Sequence, residues 1–140
     1  MNLLSGIEPS VQALDVERVR MDLISQNIAN ANTTRGPDGE VYSRKLAVFE
    51  SFLDPDNRGA QDRLLRGVRL SGIVDDPSQG ERVYSPGHPH ADANGMLQMP
   101  NVKMAREMVD LITSSRTYQA NLEAVKASRE MARNALQISS

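Results

Sequence analysis

The sequence predicts a mainly α-helical protein in which an N-terminal and a C-terminal helix flank a small β-rich insert. Near both ends, apolar side chains recur at alternating spacings of three and four residues, which is typical of helices with one apolar side. Between the ends, clusters of Gly, Pro, Asp and Asn separate short runs of strand-forming residues. We therefore expect the two helices to pair as a coiled coil, with a turn-rich β segment between them.

The first helix is expected from about Pro9 to Ala31. Proline is well tolerated in a first helical turn, because no backbone hydrogen bond is lost there. A run of Asn and Thr followed by Gly36-Pro37 cannot easily continue a helix, so it marks the end. The apolar residues predicted to form the seam of this helix are Val11, Leu14, Met21, Ile24 and Ile28.

The second helix is expected from about Asn101 to Ser139, since neither Gly nor Pro follows Pro100. About 35 helical residues span about 50 Å at 1.5 Å per residue, which is longer than the core of so small a globular domain. The seam therefore needs a partner, which is the first helix, other copies of the chain, or both. The residues predicted to form it are Met108, Leu111, Ile112, Tyr118, Leu122, Val125 and Leu136.

The insert is expected to contain short strands at about residues 41–50, 67–74 and 81–85, separated by turn sequences such as Asp75-Asp76-Pro77. Residues 1–34 and 100–140 would then form one helical coiled-coil domain, and residues 35–99 would form the insert.

Composition excludes several classes of function. The net charge of −2, from 16 basic and 18 acidic residues, provides no long-range attraction for nucleic acid or an anionic membrane. Cysteine is absent, which excludes disulfides, thiol catalysis and thiolate metal sites. No apolar stretch is long enough to cross a bilayer. The first cationic side chain is Arg18, so we expect no cleavable secretory signal, and the chain is either cytoplasmic or exported by another route.

Few residues suggest catalysis or metal binding. His88 and His90 are two residues apart with Asp92 nearby, but a usual metal site needs three or four ligands, and we interpret this segment as a structured loop. The acidic pairs Asp54/Asp56 and Asp75/Asp76 lie beside prolines, where Asp is favoured because it bonds local backbone N–H groups. An enzyme acting on the cell wall would need a carboxylate pair on a rigid scaffold. We predict no enzyme activity and no cofactor.

The Asn-rich end of the first helix permits two interpretations. Its residues Asn30, Asn32, Thr33 and Thr34 are typical of a helix C-terminus. Asn27 lies nearly a full turn earlier, and its amide either belongs to the same cap or bonds across a helix interface and sets the register. The periodicity alone does not separate the two.

Several segments resemble the flagellar rod and hook protein family. Residues 21–34, Met-Asp-Leu-Ile-Ser-Gln-Asn-Ile-Ala-Asn-Ala-Asn-Thr-Thr, are similar to its N-terminal signature. Residues 35–45, Pro86-Gly-His-Pro89, Pro100-Asn-Val and residues 107–121 resemble the proximal rod members. Three features depart from the pattern of the family, namely Pro9, His90 and the Met96-Leu97 step.

The resemblance implies a structural subunit of the flagellar basal body. Its terminal helices would pair and pack with neighbouring copies into the wall of a tube that crosses the periplasm and transmits torque from motor to hook. The implied partners are the other rod proteins, the adaptor at the rod base and further copies of the chain. The resemblance also implies export through the flagellar type III apparatus without cleavage, with no nucleic acid bound and no membrane insertion.

Overall fold

The terminal segments form two long helices that pack against each other. The structure, a computed structural model, describes residues 8–53 and 66–138. Helix α1 spans Glu8–Ala29 and helix α2 spans Met104–Ile138, close to the predicted limits. The two helices are in direct contact. Neither of them, nor any other helix in the described ranges, is long and apolar enough to cross a membrane.

Helix α1 ends at the predicted Asn-rich sequence. The Asn30 side-chain amide donates a hydrogen bond to the Gln26 carbonyl at 2.9 Å, and the Thr33 hydroxyl donates to the Asn30 side chain at 3.1 Å. The Gln26 carbonyl accepts the Asn30 backbone N–H as well, at 3.1 Å, and the Thr33 backbone N–H donates to the Asn30 carbonyl at 3.0 Å. The helix therefore stops here because Asn and Thr offer the chain local hydrogen bonds outside the helix.

The insert contains a hairpin of two antiparallel strands, β1 at Lys45–Leu53 and β2 at Arg66–Asp75. Strand β1 begins later than predicted, because the backbone N–H of Tyr42 donates to the Thr33 carbonyl and that of Arg44 donates to the Asn101 side chain instead of to a neighbouring strand. The register shifts at Val48/Phe49, where a bulge adds one residue to β2. The hairpin packs against α1, with the Arg20 guanidinium 5.7 Å from the centre of the Phe49 ring.

A second, shorter pair of strands precedes α2. Strand β3, Arg82–Tyr84, pairs in antiparallel fashion with β4, Met96–Gln98. The turn before β4 contains Gly95 at φ +73°, a backbone conformation that favours glycine. The prediction for residues 81–85 agrees with β3, but β4 has only three residues, which is too short for an alternating pattern to reveal.

The apolar core is small. Among the described residues, the buried apolar side chains are Leu23, Ile24, Ala31 and Leu97. Four polar or charged residues are buried as well, and two of them, Asn27 and Glu107, are almost completely inaccessible to solvent. Because buried polar groups need hydrogen-bond partners, these two residues define where the fold is most strictly specified.

Candidate assembly site: the polar junction and the helix faces

Asn27 connects α1 to the insert and to α2. Its Nδ2 group donates to the Lys45 carbonyl at 3.0 Å and to Glu107 Oε2 at 3.2 Å. Its Oδ1 atom accepts from the Lys45 backbone N–H at 2.8 Å and from the Tyr42 hydroxyl at 2.9 Å. A side-chain amide offers two donors and two acceptor lone pairs, so all four are used. Asn27 therefore bonds across the α1–α2 interface, which is the second of the two sequence interpretations.

Glu107 is the buried charge of this cluster. It lies in the first turn of α2 and its side chain is 0% exposed. Its Oε1 atom accepts from Arg44 Nε at 2.6 Å, while Oε2 accepts from Asn27. The guanidinium also lies 3.5 Å from Asp110 and 3.8 Å from Asp76. A buried carboxylate is tolerated when it is paired and hydrogen-bonded, and both oxygens of Glu107 meet that condition.

Asn101 fixes the segment that leads into α2. Its Oδ1 atom accepts from the Arg44 backbone N–H at 2.7 Å. Its Nδ2 group donates to the carbonyls of Asp76 and Ser78 at 3.0 and 2.9 Å. One amide thus ties the chain before β1 to the turn after β2. We name the cluster of Asn27, Tyr42, Arg44, Asn101 and Glu107 the polar junction.

Tyr42 in the junction and Lys45 beside it both have a raised pKa. Burial is the main cause that raises the pKa of Tyr42 above its ordinary value, with the nearby positive charge of Lys45 acting in the opposite direction. The pKa of Lys45 is raised chiefly by its hydrogen bond to Asp75. Lys45 and Asp75 form an ion pair across the first register position of the hairpin.

The acidic residues considered for catalysis have structural contacts. Asp75 pairs with Lys45, and Asp76 accepts the Ser78 backbone N–H at 2.9 Å. Hydrogen bonding to the Ser78 side chain foremost, and then to its backbone N–H, lowers the pKa of Asp76. Asp54 and Asp56 lie outside the described residues. Each of the two visible carboxylates is therefore engaged in holding a turn or a strand end.

The His-Pro-His sequence joins two loops. His90 Nδ1 lies 2.8 Å from the Thr34 hydroxyl, and the His90 backbone N–H donates to His88 Nδ1 at 3.1 Å. In residues 8–53 and 66–138, no group of three His, Cys, Asp or Glu side chains is arranged to hold a metal ion. The contacts fit a loop that fastens the end of α1 to the turn before β4.

The predicted seam residues differ widely in exposure. Ile24 is buried, whereas Val11, Met108 and Ile112 are 44%, 50% and 55% exposed. The half-buried members are Leu14, Met21, Ile28, Leu111, Tyr118, Leu122 and Val125, and the side chain of Leu136 lies outside the described residues. The fully buried residues of α2 are polar, Glu107 and Ser114. The buried side of this helix therefore passes through Glu107 and not through its neighbour Met108, which the sequence had placed in the seam.

The remaining predicted cap residues, Asn32, Thr33 and Thr34, are more exposed than Asn27. Asn32 is exposed, while Thr33 and Thr34 are partly covered through their bonds to Asn30 and His90. Sequence reasoning did not single out Tyr42, Arg44, Asn101 or Glu107 as a cluster. One signal was available for Glu107, which interrupts the apolar stripe of α2 beside Met108.

Comparison with known proteins identifies the family. The model described as "Flagella basal body rod protein" matches residues 7–37, and the model described as "Flagellar basal body rod FlgEFG protein C-terminal" matches residues 93–138. The flagellar basal-body rod protein FlgC of Bacillus subtilis is 39% identical, with 99% of each chain covered. Those of Yersinia enterocolitica and Borreliella burgdorferi are each 37% identical, covering 94% and 99% of this chain and 93% and 98% of the relatives. The chain therefore belongs to the FlgC family of flagellar basal-body rod proteins, which are structural components of the basal body.

Proposed function

We propose that the chain is a subunit of the proximal rod, which assembles through its terminal helices into the periplasm-spanning shaft between motor and hook. One observation carries this proposal: α2 keeps an apolar face uncovered although it is already packed against α1. Met108, Val109 and Ile112 are 50%, 61% and 55% exposed on this helix. Contiguous exposed apolar surface of this kind marks protein–protein contacts.

The polar junction supports a mechanical role for the subunit. It joins both helices to the insert through side chains whose hydrogen bonds are directional and fully used. Such a network fixes the relative position of the parts, whereas apolar contacts alone permit sliding. A subunit that transmits torque needs this property, since a hinge between helix and insert would absorb the rotation.

The proposal extends to organisation, partners and route. Residues 1–34 and 100–140 form the helical coiled-coil domain, and residues 35–99 form the insert. The subunit contacts other rod proteins, the adaptor at the rod base and further copies of itself. It reaches the basal body through the flagellar type III export apparatus and is not cleaved on the way.

Mass spectrometry of purified basal bodies tests the location and the route together. We expect the full chain, beginning at Met1 or lacking only that residue, in stoichiometric amounts with the other rod proteins. Intact basal bodies without this chain, from cells that contain it in the cytoplasm, would refute the rod assignment. A shortened N-terminus would refute the proposed export without cleavage.

Charged substitutions in the seam test whether the helices drive assembly. Leu111→Glu and Leu122→Glu each place an unpaired charge on a half-buried seam position, so we expect both variants to fail to assemble. Ala124→Glu, at an exposed position of the same helix, serves as the control and should leave motility intact. Wild-type swimming by both leucine variants would contradict assembly through this seam.

A further inference from the structure

Three exposed apolar side chains near the start of α2 form one compact patch. Ile112 follows Met108 by four residues and Val109 by three, which places all three on one side of the helix. Glu107 and Ser114, which are buried, mark the opposite side, toward α1. At 3.6 residues per turn, the three apolar residues are rotated by roughly 100° to 160° from Glu107. We name Met108, Val109 and Ile112 the α2 patch, and it faces away from α1.

A second apolar surface lies on the hairpin. Directly opposite residues of an antiparallel pair share a face, and the register pairs Leu70 with Phe49 and Ile73 with Ala47. Phe49 lies under Arg20, so this face is turned toward α1. Leu70 and Ile73 are nevertheless 41% and 52% exposed. Helix α1 therefore leaves part of this face of β2 uncovered, and we name the exposed residues Leu70 and Ile73 the β2 ledge.

The two surfaces lie on different elements and face in different directions. Gln12 of α1 accepts a hydrogen bond from the Val68 backbone N–H at 3.2 Å, which places β2 along the start of α1. Ala13, Glu17 and Ile24 are rotated by roughly 100° to 140° from the Gln12 side, toward α2. The β2 ledge therefore lies along α1, whereas the α2 patch is on the side of α2 that is turned away from α1.

The net charges next to the two surfaces are of opposite sign. Asp15 and Asp22 are exposed on the side of α1 that carries Gln12, and the exposed Arg18 between them in sequence leaves a net negative charge there. Arg116 continues the line of the α2 patch one turn beyond Ile112, and it is exposed as well. In the part of the chain that the structure describes, neither aspartate nor Arg116 forms a salt bridge. Opposite unpaired charges at the rims of two apolar surfaces favour one orientation of contact between them.

We propose that the α2 patch of one subunit packs on the β2 ledge of a second copy, with Arg116 facing Asp15 and Asp22. This inference rests on the proposed assembly function and adds to it the surface that receives the helix. Because different surfaces of the two copies meet, the contact is head-to-tail and leaves a free patch and a free ledge at the ends. Repetition of such a contact builds a ring or a helical filament and does not stop at a dimer.

Chemical cross-linking distinguishes this contact from its alternatives. The chain has no cysteine, so the introduced thiols are the only ones in this chain. We choose Val109→Cys in the patch and Leu70→Cys in the ledge, both at exposed positions. Basal bodies isolated from cells carrying each variant are treated with a short bismaleimide, which alkylates two thiols within its reach.

The double variant should form a ladder that extends beyond the dimer, while each single variant should stay monomeric. A matched control combines Val109→Cys with Val48→Cys, which lies on the other face of the hairpin, and should give no ladder. Dimers of a single variant would show that like surfaces meet, and this would overturn the proposal. Incorporation of the double variant without a ladder would overturn it too, and it would leave the rod assignment intact. Absence of the wild-type chain from basal bodies would instead refute the rod assignment.

A charge exchange tests the orientation independently. Asp15→Lys with Asp22→Lys places like charges opposite Arg116, and we expect the cross-linked ladder to fall several-fold. Arg116→Glu alone should do the same. The three changes together restore opposite signs and should recover most of the ladder. A combined variant that cross-links less than either parent would show that these charges do not meet.

Discussion

The polar junction and the β1–β2 hairpin each contain an Arg–Glu pair with the same Nε–Oε1 distance of 2.6 Å, but in opposite surroundings. In the junction, the side chains of Arg44 and Glu107 are 17% and 0% exposed. In the hairpin, those of Arg69 and Glu50 are 65% and 44% exposed. Water screens the charges of the exposed pair, and it solvates the remaining partner when the other is removed. In the buried pair, water cannot replace the lost partner, so a charge is left buried and unpaired. The comparison teaches that burial, and not distance, decides how much each pair stabilises the fold.

The two regions also differ in how completely they are packed. Gly80, in the turn that Asn101 holds, lies so close to the Met99 and Pro100 backbone that an added methyl group would overlap it. Gly72, in the hairpin, has open space at the same point. The backbone beside the junction is therefore closely packed at Gly80, while the hairpin has room for a side chain at Gly72.

Removal of the buried carboxylate should produce the largest loss of stability. Glu107→Gln leaves the Arg44 guanidinium without its closest counter-charge, and we expect the free energy of unfolding to fall by about 3 kcal/mol. Glu50→Gln is the matched change in the hairpin and should cost less than about 0.5 kcal/mol. Urea denaturation followed by circular dichroism measures both. Equal losses in the two variants would show that the burial difference has no energetic consequence.

The two glycines provide the next largest contrast. Gly80→Ala forces the backbone near Met99 to move, and overpacking of this kind costs about 1–3 kcal/mol. Gly72→Ala places a methyl group in open space, and it should be neutral or stabilise the strand by about 0.5 kcal/mol, because alanine loses less backbone entropy than glycine. Thermal unfolding of both variants checks the prediction. If Gly80→Ala melts like the wild type, the turn is less closely packed than the structure indicates.

The loss of folding stability at alkaline pH should depend on Tyr42. Its pKa is raised in the folded chain, so folding favours the neutral phenol. This contribution is fully present below the unfolded pKa of about 10 and is lost as the pH rises through the folded value. Lys45, whose pKa is also raised, acts in the same direction. Stability should therefore decline above about pH 10.

Tyr42→Phe tests this step and the hydrogen bond to Asn27 together. We expect a loss of about 1 kcal/mol at neutral pH, since the Asn27 oxygen loses one of its two donors. The decline above pH 10 should become shallower, because only the Lys45 contribution remains. Spectrophotometric titration of the tyrosines supplies the control, and an unchanged loss of stability at alkaline pH in the variant would assign the decline to Lys45 alone.

The helices were predictable from sequence because their signals are local and repeated. Thirty-five residues of α2 without Gly or Pro, and the Asn-rich end of α1, set their limits to within a few residues. The junction was not predictable in the same way. Asn27 and Glu107 are 80 residues apart in sequence, and their contact depends on the packing of α1 against α2. No periodicity in either helix contains that information.

The ends of the strands were also difficult to predict from the sequence. Residues 41–44 have a pattern compatible with a strand, yet Tyr42 and Arg44 bond to side chains from α1 and α2, and β1 starts only at Lys45. A tertiary contact thus overrides local propensity, which is common for short strands. Strand β4 was missed because three residues between a turn and Met99 leave no pattern to detect.

We expect the smallest effect in the turn before β4, which belongs neither to the polar junction nor to the β1–β2 hairpin. Asp92 accepts backbone hydrogen bonds from Met96 at 2.9 Å and Asn94 at 2.8 Å, and these bonds, the one from Met96 foremost, hold the pKa of its carboxyl below the ordinary value. The stabilisation is present above the unfolded pKa of about 3.9 and is lost as the pH falls through the folded value. We therefore expect Asp92→Ala to accelerate hydrogen exchange at the Met96 amide without affecting amides in the middle of α2, because the turn opens locally. Faster exchange at Leu111 in the same variant would instead mean that the turn and the helix unfold as one unit.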